Sequence, residues 1–279
     1  LELDDNFTAL DSSIDSAAGS LLPNNNTWTG TNDFTFGLTS PGAGTNSTRI
    51  GNDAGGASQG DNAVAIGNSA SRTGQGNSSI SVGQFAGDIS QGVTSVAIGA
   101  AAGMTSQGDN SVSIGNIAGG TSQGNSAISI GMNAGQTSQG NNAIGIGTLA
   151  GKVEQGAKSI AVGDGAGENY QATLSVAIGN GSGFDSQGER AISIGDLSGE
   201  PRQGQKSISI GYEAGQDTQG TLSVAIGSEA GNVTQGASSV AVGDTAGQNT
   251  QGDYSTAVGY YAGQISQGAS SVAVGVFAG

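Results

Sequence analysis

The chain has 279 residues, including 53 Gly but no His and no Cys, which argues against thiol chemistry, most transition-metal sites and any disulfide. Aromatic residues make up 4% and charged residues 10%, too little for the core of an ordinary globular domain of this length. The net charge of -15 argues against nucleic acid as a partner and against docking on an anionic membrane, and no apolar run is long enough for direct membrane insertion.

The first segment, residues 1–22, carries apolar side chains at heptad spacing. This spacing predicts a short coiled-coil helix through which chains associate, with a short amphipathic helix packed on its own chain as the alternative. Residues 23–48 are predicted to be a linker with strands that cap the first coil of the following repeat. The heptad positions are Leu3, Phe7, Leu10, Ile14, Ala17 and Leu21.

From residue 49 to residue 279 the sequence repeats every sixteen residues. The Gly of an Ile-Gly or Val-Gly pair recurs from Gly51 to Gly275 in fourteen steps, without one insertion. Surface loops normally vary in length, so a constant period indicates that each unit stacks in register on the next. We therefore predict an all-β fold, a parallel β-roll or solenoid of about fifteen coils, counted from these units.

The units follow the consensus S-[VI]-[AS]-[IV]-G-x-x-A-G-x-x-x-Q-G-x-x. Large and small side chains alternate with the period of a strand, as in Val96–Ile98. The repeated glycines, such as Gly115, Gly119 and Gly124, exclude a helix and indicate turns that need positive φ or close backbone approach. We expect two strands and two turns in each coil, with Val and Ile pointing inward. The small residue between them would face a neighbouring chain or, alternatively, a thin inner layer of the same chain.

One column of the repeat is Gln in every unit. Stacked amides hydrogen-bond to one another, so we predict that this column is a structural ladder along the roll rather than a receptor-binding surface. The column consists of Gln59, Gln75, Gln91, Gln107, Gln123, Gln139, Gln155, Gln171, Gln187, Gln203, Gln219, Gln235, Gln251 and Gln267.

The two positions after each Ile-Gly or Val-Gly pair vary most. Aromatic side chains there are candidate surface anchors for a host glycan or protein, because aromatic residues are enriched at binding hot spots. Packing between chains or over a turn is the alternative. The candidates are Phe85, Tyr212, Tyr260 and Tyr261.

No pattern of residues predicts catalysis, a cofactor or a bound metal. The acidic residues vary in column and form no evident pair for acid–base work. The Gly-rich run GDGAGENYQ, which begins at Gly163, lacks the lysine of a phosphate-binding loop. We therefore expect a non-enzymatic protein without cofactors.

The repeats NSVSIGNIAGGTSQG (110–124) and SVAIGSEAG (223–231) resemble the head repeats of YadA-like trimeric autotransporter adhesins. The resemblance implies a homotrimeric, left-handed parallel β-roll that serves as an elongated adhesive head. It also implies that Val and Ile fill the core of each roll and that small residues face the trimer axis. The unit here is longer than the usual head repeat of that family, because it carries the Gln-Gly segment.

The segments LDDNFTALDSSID (3–15), NTWTGTNDFTF (26–36) and TRIGNDAG (48–55) are similar to N-terminal parts of phage tail-fibre and virion appendage proteins. Together the resemblances predict a tail or head fibre at the virion surface. It would be a homotrimer that acts as a rigid spacer and host-attachment element, with its N-terminal segment bound to other virion proteins. The alternative is the head of a trimeric autotransporter adhesin at the outer surface of a bacterium.

Overall fold

A computed structural model describes residues 44–279. The predicted coiled coil at 1–22 and the capping strands predicted before residue 44 lie outside the described residues. The described part is a parallel β-solenoid without helices, so it contains no helix that would cross a membrane.

The solenoid contains twenty-two strands of three residues each. In chain order they are β1 (Thr48–Ile50), β2 (Ala57–Gln59), β3 (Val64–Ile66), β4 (Thr73–Gln75), β5 (Ile80–Val82), β6 (Ile89–Gln91), β7 (Val96–Ile98), β8 (Thr105–Gln107), β9 (Val112–Ile114), β10 (Thr121–Gln123), β11 (Ile128–Ile130), β12 (Ile144–Ile146), β13 (Ile160–Val162), β14 (Val176–Ile178), β15 (Ile192–Ile194), β16 (Ile208–Ile210), β17 (Val224–Ile226), β18 (Val240–Val242), β19 (Asn249–Gln251), β20 (Thr256–Val258), β21 (Ile265–Gln267) and β22 (Val272–Val274).

Two sides of the coil carry parallel pairing. The first sheet has fifteen strands, in the order β1, β3, β5, β7, β9, β11 to β18, β20 and β22. Neighbouring strands pair at an offset of sixteen residues, as in Val112 with Ile128. The second sheet has five strands, β2, β4, β6, β8 and β10, and single parallel bridges continue this side of the coil toward β19 and β21. The predicted parallel solenoid of sixteen-residue coils is confirmed.

The interior of each coil is narrow and holds small or amide side chains. We number the coil from 1 at the Gly that follows a strand of the first sheet, so that Gly99 is position 1 and Ile114 is position 16. The buried positions are then 4, 5, 9, 13 and 15, occupied in this coil by Ala102, Gly103, Gln107, Ser111 and Ser113. All fully buried apolar side chains of the described residues are alanines.

The Val and Ile side chains point outward, so the prediction that they fill the core of each roll is wrong. In β11 the central Ser129 is fully buried, whereas Ile128 is half-buried and Ile130 is 36% exposed. From Ala65 to Ala273 position 15 holds only Ala, Ser or Gly, and in one coil even a Cβ on Gly145 would lie 2.9 Å from the Ala150 carbonyl oxygen. The small column therefore forms the thin inner layer and does not face a neighbouring chain.

Glycine is required at the turns for both of the predicted reasons. Gly115 has φ +132°, and a Cβ on Gly124 would lie 2.5 Å from the backbone of the next coil. Positions 3, 8 and 12 also adopt left-handed backbone conformations, although they carry ordinary residues such as Ile117, Ser122 and Ser126 with φ of 55–56°. The sequence pattern did not predict these left-handed corners, because their residue types vary.

The Gln side chains of position 9 lie inside the coil and link successive coils. Gln155 Nε2 donates to the Ile144 carbonyl oxygen at 2.8 Å and to Gln171 Oε1 at 3.1 Å. Gln155 Oε1 in turn accepts from Gln139 Nε2 at 2.9 Å. Amide-to-amide bonds of this kind connect the column from Gln123 to Gln203 and from Gln219 to Gln267.

A serine at position 15 provides a second donor to the Gln ladder. Ser113 Oγ donates to Gln123 Oε1 at 2.8 Å, ten residues further along the chain. Ala97 occupies the corresponding place for Gln107, and Gln107 Oε1 is buried without a hydrogen-bond partner. An unpaired buried oxygen of this kind lowers the stability of the fold.

We expect Gly115→Ala to lower the free energy of unfolding by at least about 2 kcal/mol. Gly115 has φ +132°, a backbone conformation that residues with a side chain rarely adopt. A Cβ there would also lie 2.6 Å from the Gly131 carbonyl oxygen. Denaturant unfolding measures the change. Asn116→Ala, at the exposed neighbouring position, is the control and should change stability by less than about 0.5 kcal/mol. Equal effects of the two substitutions would contradict the close packing of the coils.

We expect Ala97→Ser to raise the free energy of unfolding by about 1 kcal/mol, because the new hydroxyl donates to the unpaired Gln107 Oε1. The matched control is Ala161→Ser, since Gln171 Oε1 already accepts from Gln155 Nε2 at 3.1 Å. Thermal and denaturant unfolding of both variants tests the difference. If Ala97→Ser destabilises the chain as much as the control, the missing donor is not a defect of the ladder.

Candidate interaction surfaces

The outward side chains of the first sheet form a continuous apolar surface, which we call the Val/Ile face. It consists of positions 14 and 16 of the coils, and no charged residue occurs in either column of the described residues. A long exposed apolar surface of this kind is typical of an interaction site rather than of a monomer's solvent surface. Eight position-16 side chains, each 36–38% exposed, are Ile98, Ile114, Ile130, Ile146, Ile178, Ile194, Ile210 and Ile226.

The Val/Ile face was missed as a surface because alternation alone does not tell which side of a strand is buried. The signal that distinguishes the two sides is the Gln column, whose long side chains fill the space behind the small residues. Once Gln155 and its equivalents are placed inside, little space is left opposite them from Ala65 to Ala273, and the aliphatic residues lie outside.

The predicted anchors do not form one site. Tyr260 and Tyr261 lie together with Phe277. The ring centroids of the two tyrosines are 4.4 Å apart, and the Phe277 centroid lies 5.6 Å from that of Tyr260 and 5.2 Å from that of Tyr261. We call these three residues the aromatic cluster. Phe85 is half-buried in a distant coil, and Tyr212 is 48% exposed in another coil.

Hydrogen bonds raise the pKa of two of these tyrosines. The bond with the neighbouring Tyr261 raises the pKa of Tyr260 above its usual value, and burial adds to the effect. The bond with Glu213, followed by the negative charge of that residue, raises the pKa of Tyr212. Both phenols therefore offer a neutral hydroxyl next to an apolar ring at physiological pH.

Ion pairs link successive coils at position 6. Arg72 Nη2 lies 3.1 Å from Asp88 Oδ2, and Lys152 Nζ lies 3.1 Å from Glu168 Oε1. Burial raises the pKa of Asp88, and Arg72 opposes this shift. These pairs join residues sixteen apart, so they reinforce the stacking of coils.

Acidic side chains are concentrated around Glu200. Burial raises the pKa of Glu200, and the negative charges of Asp185 and Asp196 raise it further. Within residues 44–279, however, no three His, Cys, Asp or Glu side chains come close enough together to hold a metal ion.

No protein-family profile matches the chain, and no curated protein shows significant similarity to it.

Proposed function

We propose that this protein is a non-enzymatic fibre whose rolls associate into a homotrimer through the Val/Ile face. The supporting observation is the distribution of apolar side chains. The interior buries only Ala among apolar residues, whereas Val and Ile lie on the outer face of the first sheet. Since burial contributes about 25 cal/mol per Å² of apolar surface, most of the available hydrophobic stabilisation requires a second surface that covers this face.

A second copy of the same chain fits this face better than an unrelated protein. Neighbouring strands of a sheet are ~4.8 Å apart, and another roll presents its own Val and Ile side chains at the same spacing. The face carries no charge along fifteen strands, so an identical apolar surface packs on it without burying an unpaired ion. The number of three chains and the left-handed coil follow from the resemblance to the adhesin head repeats.

The fibre is proposed to act at the virion surface as a tail or head fibre. Each coil is hydrogen-bonded to the next on two sides and through the Gln ladder, which suits a rigid spacer. The N-terminal segment, similar to those of tail-fibre and appendage proteins, would bind other virion proteins. The resemblance of repeats such as SVAIGSEAG (223–231) to adhesin head repeats equally supports the alternative, the head of a trimeric adhesin on a bacterial outer surface.

Host attachment is the second part of the proposal. The aromatic cluster is the candidate binding element, because the exposed rings of Tyr260 and Phe277 can stack on a sugar and the Tyr260 hydroxyl can form a hydrogen bond with it. A host cell-surface glycan or protein is therefore the proposed partner of the roll.

We expect the chain to sediment as a trimer at micromolar concentration, and Ile146→Glu with Ile178→Glu to convert it to monomers. Each carboxylate would be buried without a partner in the Val/Ile face. Analytical ultracentrifugation measures the mass, and circular dichroism checks that the strands remain. The control is Thr121→Glu with Thr137→Glu, which places the same charges on the exposed second side of the coil. A monomeric wild-type roll would contradict the proposed assembly.

We expect Tyr260→Ala with Tyr261→Ala to reduce binding of the labelled trimer to host cells by about tenfold or more, as for the loss of a hot spot. Whole-cell binding and a glycan array measure the effect. Tyr254→Ala is the control, since Tyr254 is 70% exposed and lies outside the aromatic cluster. Unchanged binding by the double variant, with the wild-type trimer binding well, would remove the cluster from host recognition.

A further inference from the structure

The Val/Ile face specifies its own axial register poorly. Its fifteen levels carry nearly the same side chains, and they are spaced evenly along the roll. If two copies slip by one coil, every Val or Ile meets an equivalent residue, and only one level of contact is lost. Sheets with such uniform faces are prone to register errors unless other residues prevent them. The residues that could prevent such a slip are those that border the face.

Two columns border the Val/Ile face, one at each end of its strands. Position 12 lies two residues before each strand of the first sheet, and position 2 lies two residues after it. Among the described residues, the position-12 column carries charge only at Lys158, Arg190 and Lys206. We call it the basic border, and we call the position-2 column the acidic border. The charged residues of the acidic border are Asp164, Asp196 and Asp244.

The two borders carry opposite charges at the same strand in two places. β13 has Lys158 on one border and Asp164 on the other, and β15 has Arg190 and Asp196. The strand between them, β14, has the uncharged Leu174 and Asn180. β20 has a tyrosine on each border, Tyr254 and Tyr260. Charge therefore occurs on both borders at β13 and β15, whereas Lys206 at β16 and Asp244 at β18 have the uncharged Tyr212 and Ser238 on the opposite border.

These opposite charges are not paired with each other within one chain. Among the described residues, the ion pairs of Arg190 include only the adjacent Glu189, at 3.1 Å with both side chains exposed, and Lys158 forms none. Asp196 Oδ1 accepts a hydrogen bond from Asn180 Nδ2 at 2.9 Å. Both borders are thus open to charges from another molecule.

The acidic border is also recessed at the level of Asp164. Position 3 is glycine in two successive coils, Gly165 and Gly181, whereas the coils on either side carry Leu149 and Leu197 there. The missing side chains leave a cavity of about 290 Å³ beside Asp164, with Glu168 and Glu200 in its wall. The cavity has room for the end of a Lys or Arg side chain, and the carboxylates of Asp164 and Glu200 can attract it, since Glu168 is already paired with Lys152.

A cyclic assembly brings the two borders together. In a ring of parallel rolls whose Val/Ile faces point to the axis, each contact is head-to-tail, so one border of a copy lies beside the other border of the next copy. Without axial slip, residues of the same level are neighbours. Lys158 of one copy then lies beside Asp164 of the next, and Arg190 beside Asp196.

We infer that the basic and acidic borders pair between copies and fix the axial register of the assembly; this inference rests on the proposed homotrimer. A slip of one coil leaves Lys206 opposite Asp196 in one direction and no basic residue opposite an acid of this border in the other. A slip of two coils places Lys158 opposite Asp196 and Lys206 opposite Asp244 in one direction, and only Arg190 opposite Asp164 in the other. Either slip also removes two levels of apolar contact. The charges thus disfavour the one-coil slips, and the loss of apolar contact disfavours the two-coil slips.

The absence of Cys from the chain allows a direct test of register by engineered disulfides. Asn142 and Thr148 occupy the two borders of β12, and Met132 occupies the acidic border one coil earlier. We expect Asn142→Cys with Thr148→Cys to give covalent trimers on oxidation. Asn142→Cys with Met132→Cys reports a one-coil slip. It should give a yield of covalent trimer at least about tenfold lower, equivalent to about 1.4 kcal/mol in favour of the unslipped state.

Charge reversal tests whether the borders set this register. Lys158→Asp with Arg190→Asp should abolish the preference for the Asn142–Thr148 crosslink at low salt. Asp is well suited to both positions, where φ is 57°. Adding Asp164→Lys and Asp196→Arg exchanges the borders and should restore the preference. High salt should weaken the preference of the wild-type chain, since exposed ion pairs are screened.

The outcomes separate this inference from the proposed function. A trimeric wild-type chain that crosslinks equally in both registers, or that keeps its register after charge reversal, overturns the inference and leaves the homotrimer intact. A monomeric wild-type chain overturns the homotrimer and the inference with it. If charge reversal abolishes the preferred register and exchange of the two borders restores it, the result supports both the homotrimer and the pairing of the borders.

Discussion

The structure depends on parallel backbone pairing at a constant offset of sixteen residues. Each coil forms its hydrogen bonds with the coils before and after it, so one inserted residue would shift the pairing of every residue that follows within the coil. The same offset stacks chemically identical side chains in columns. Glycine at position 1 lets the coils approach closely there, and the amides of position 9 reach one another because their backbones are in register. The constancy of the repeat length is therefore a requirement of the fold.

The interior is polar and thin, which inverts the usual distribution of side chains. Its buried amides and hydroxyls are stabilised by bonds such as those of Gln155 and Ser113, while Val and Ile lie outside. A buried hydrogen bond contributes only about 0.5–1.5 kcal/mol net, so a roll built in this way gains from covering its aliphatic face. The proposed assembly, the absence of charge on that face and the placement of charge at its borders all agree with this physical need.

Much of the fold could be predicted from the sequence, because spacing carries the information. The period of sixteen predicted the coil, the pairing offset and the glycine turns at Gly115 and Gly124. The side of the strand that is buried could not be predicted from alternation, since Ile128 and Ser129 are equally consistent with either orientation until the volume of the Gln side chains is considered. Left-handed corners such as Ile117 leave no signal in residue type. The grouping of Tyr260 and Tyr261 with Phe277, but not with Phe85, depends on distance along the roll.

The left-handed corners have a consequence for how such a protein can change over time. At position 3 the backbone keeps φ between 50° and 65° whether the residue is Gly165, Leu149, Glu213 or Tyr261. The path of the chain is imposed by the coils above and below, and the identity of the side chain contributes little to it. These corners can therefore exchange charge, bulk and aromaticity with small changes in backbone geometry. Substitutions at position 3 can therefore change the chemistry of this column during evolution while the backbone of the solenoid stays the same.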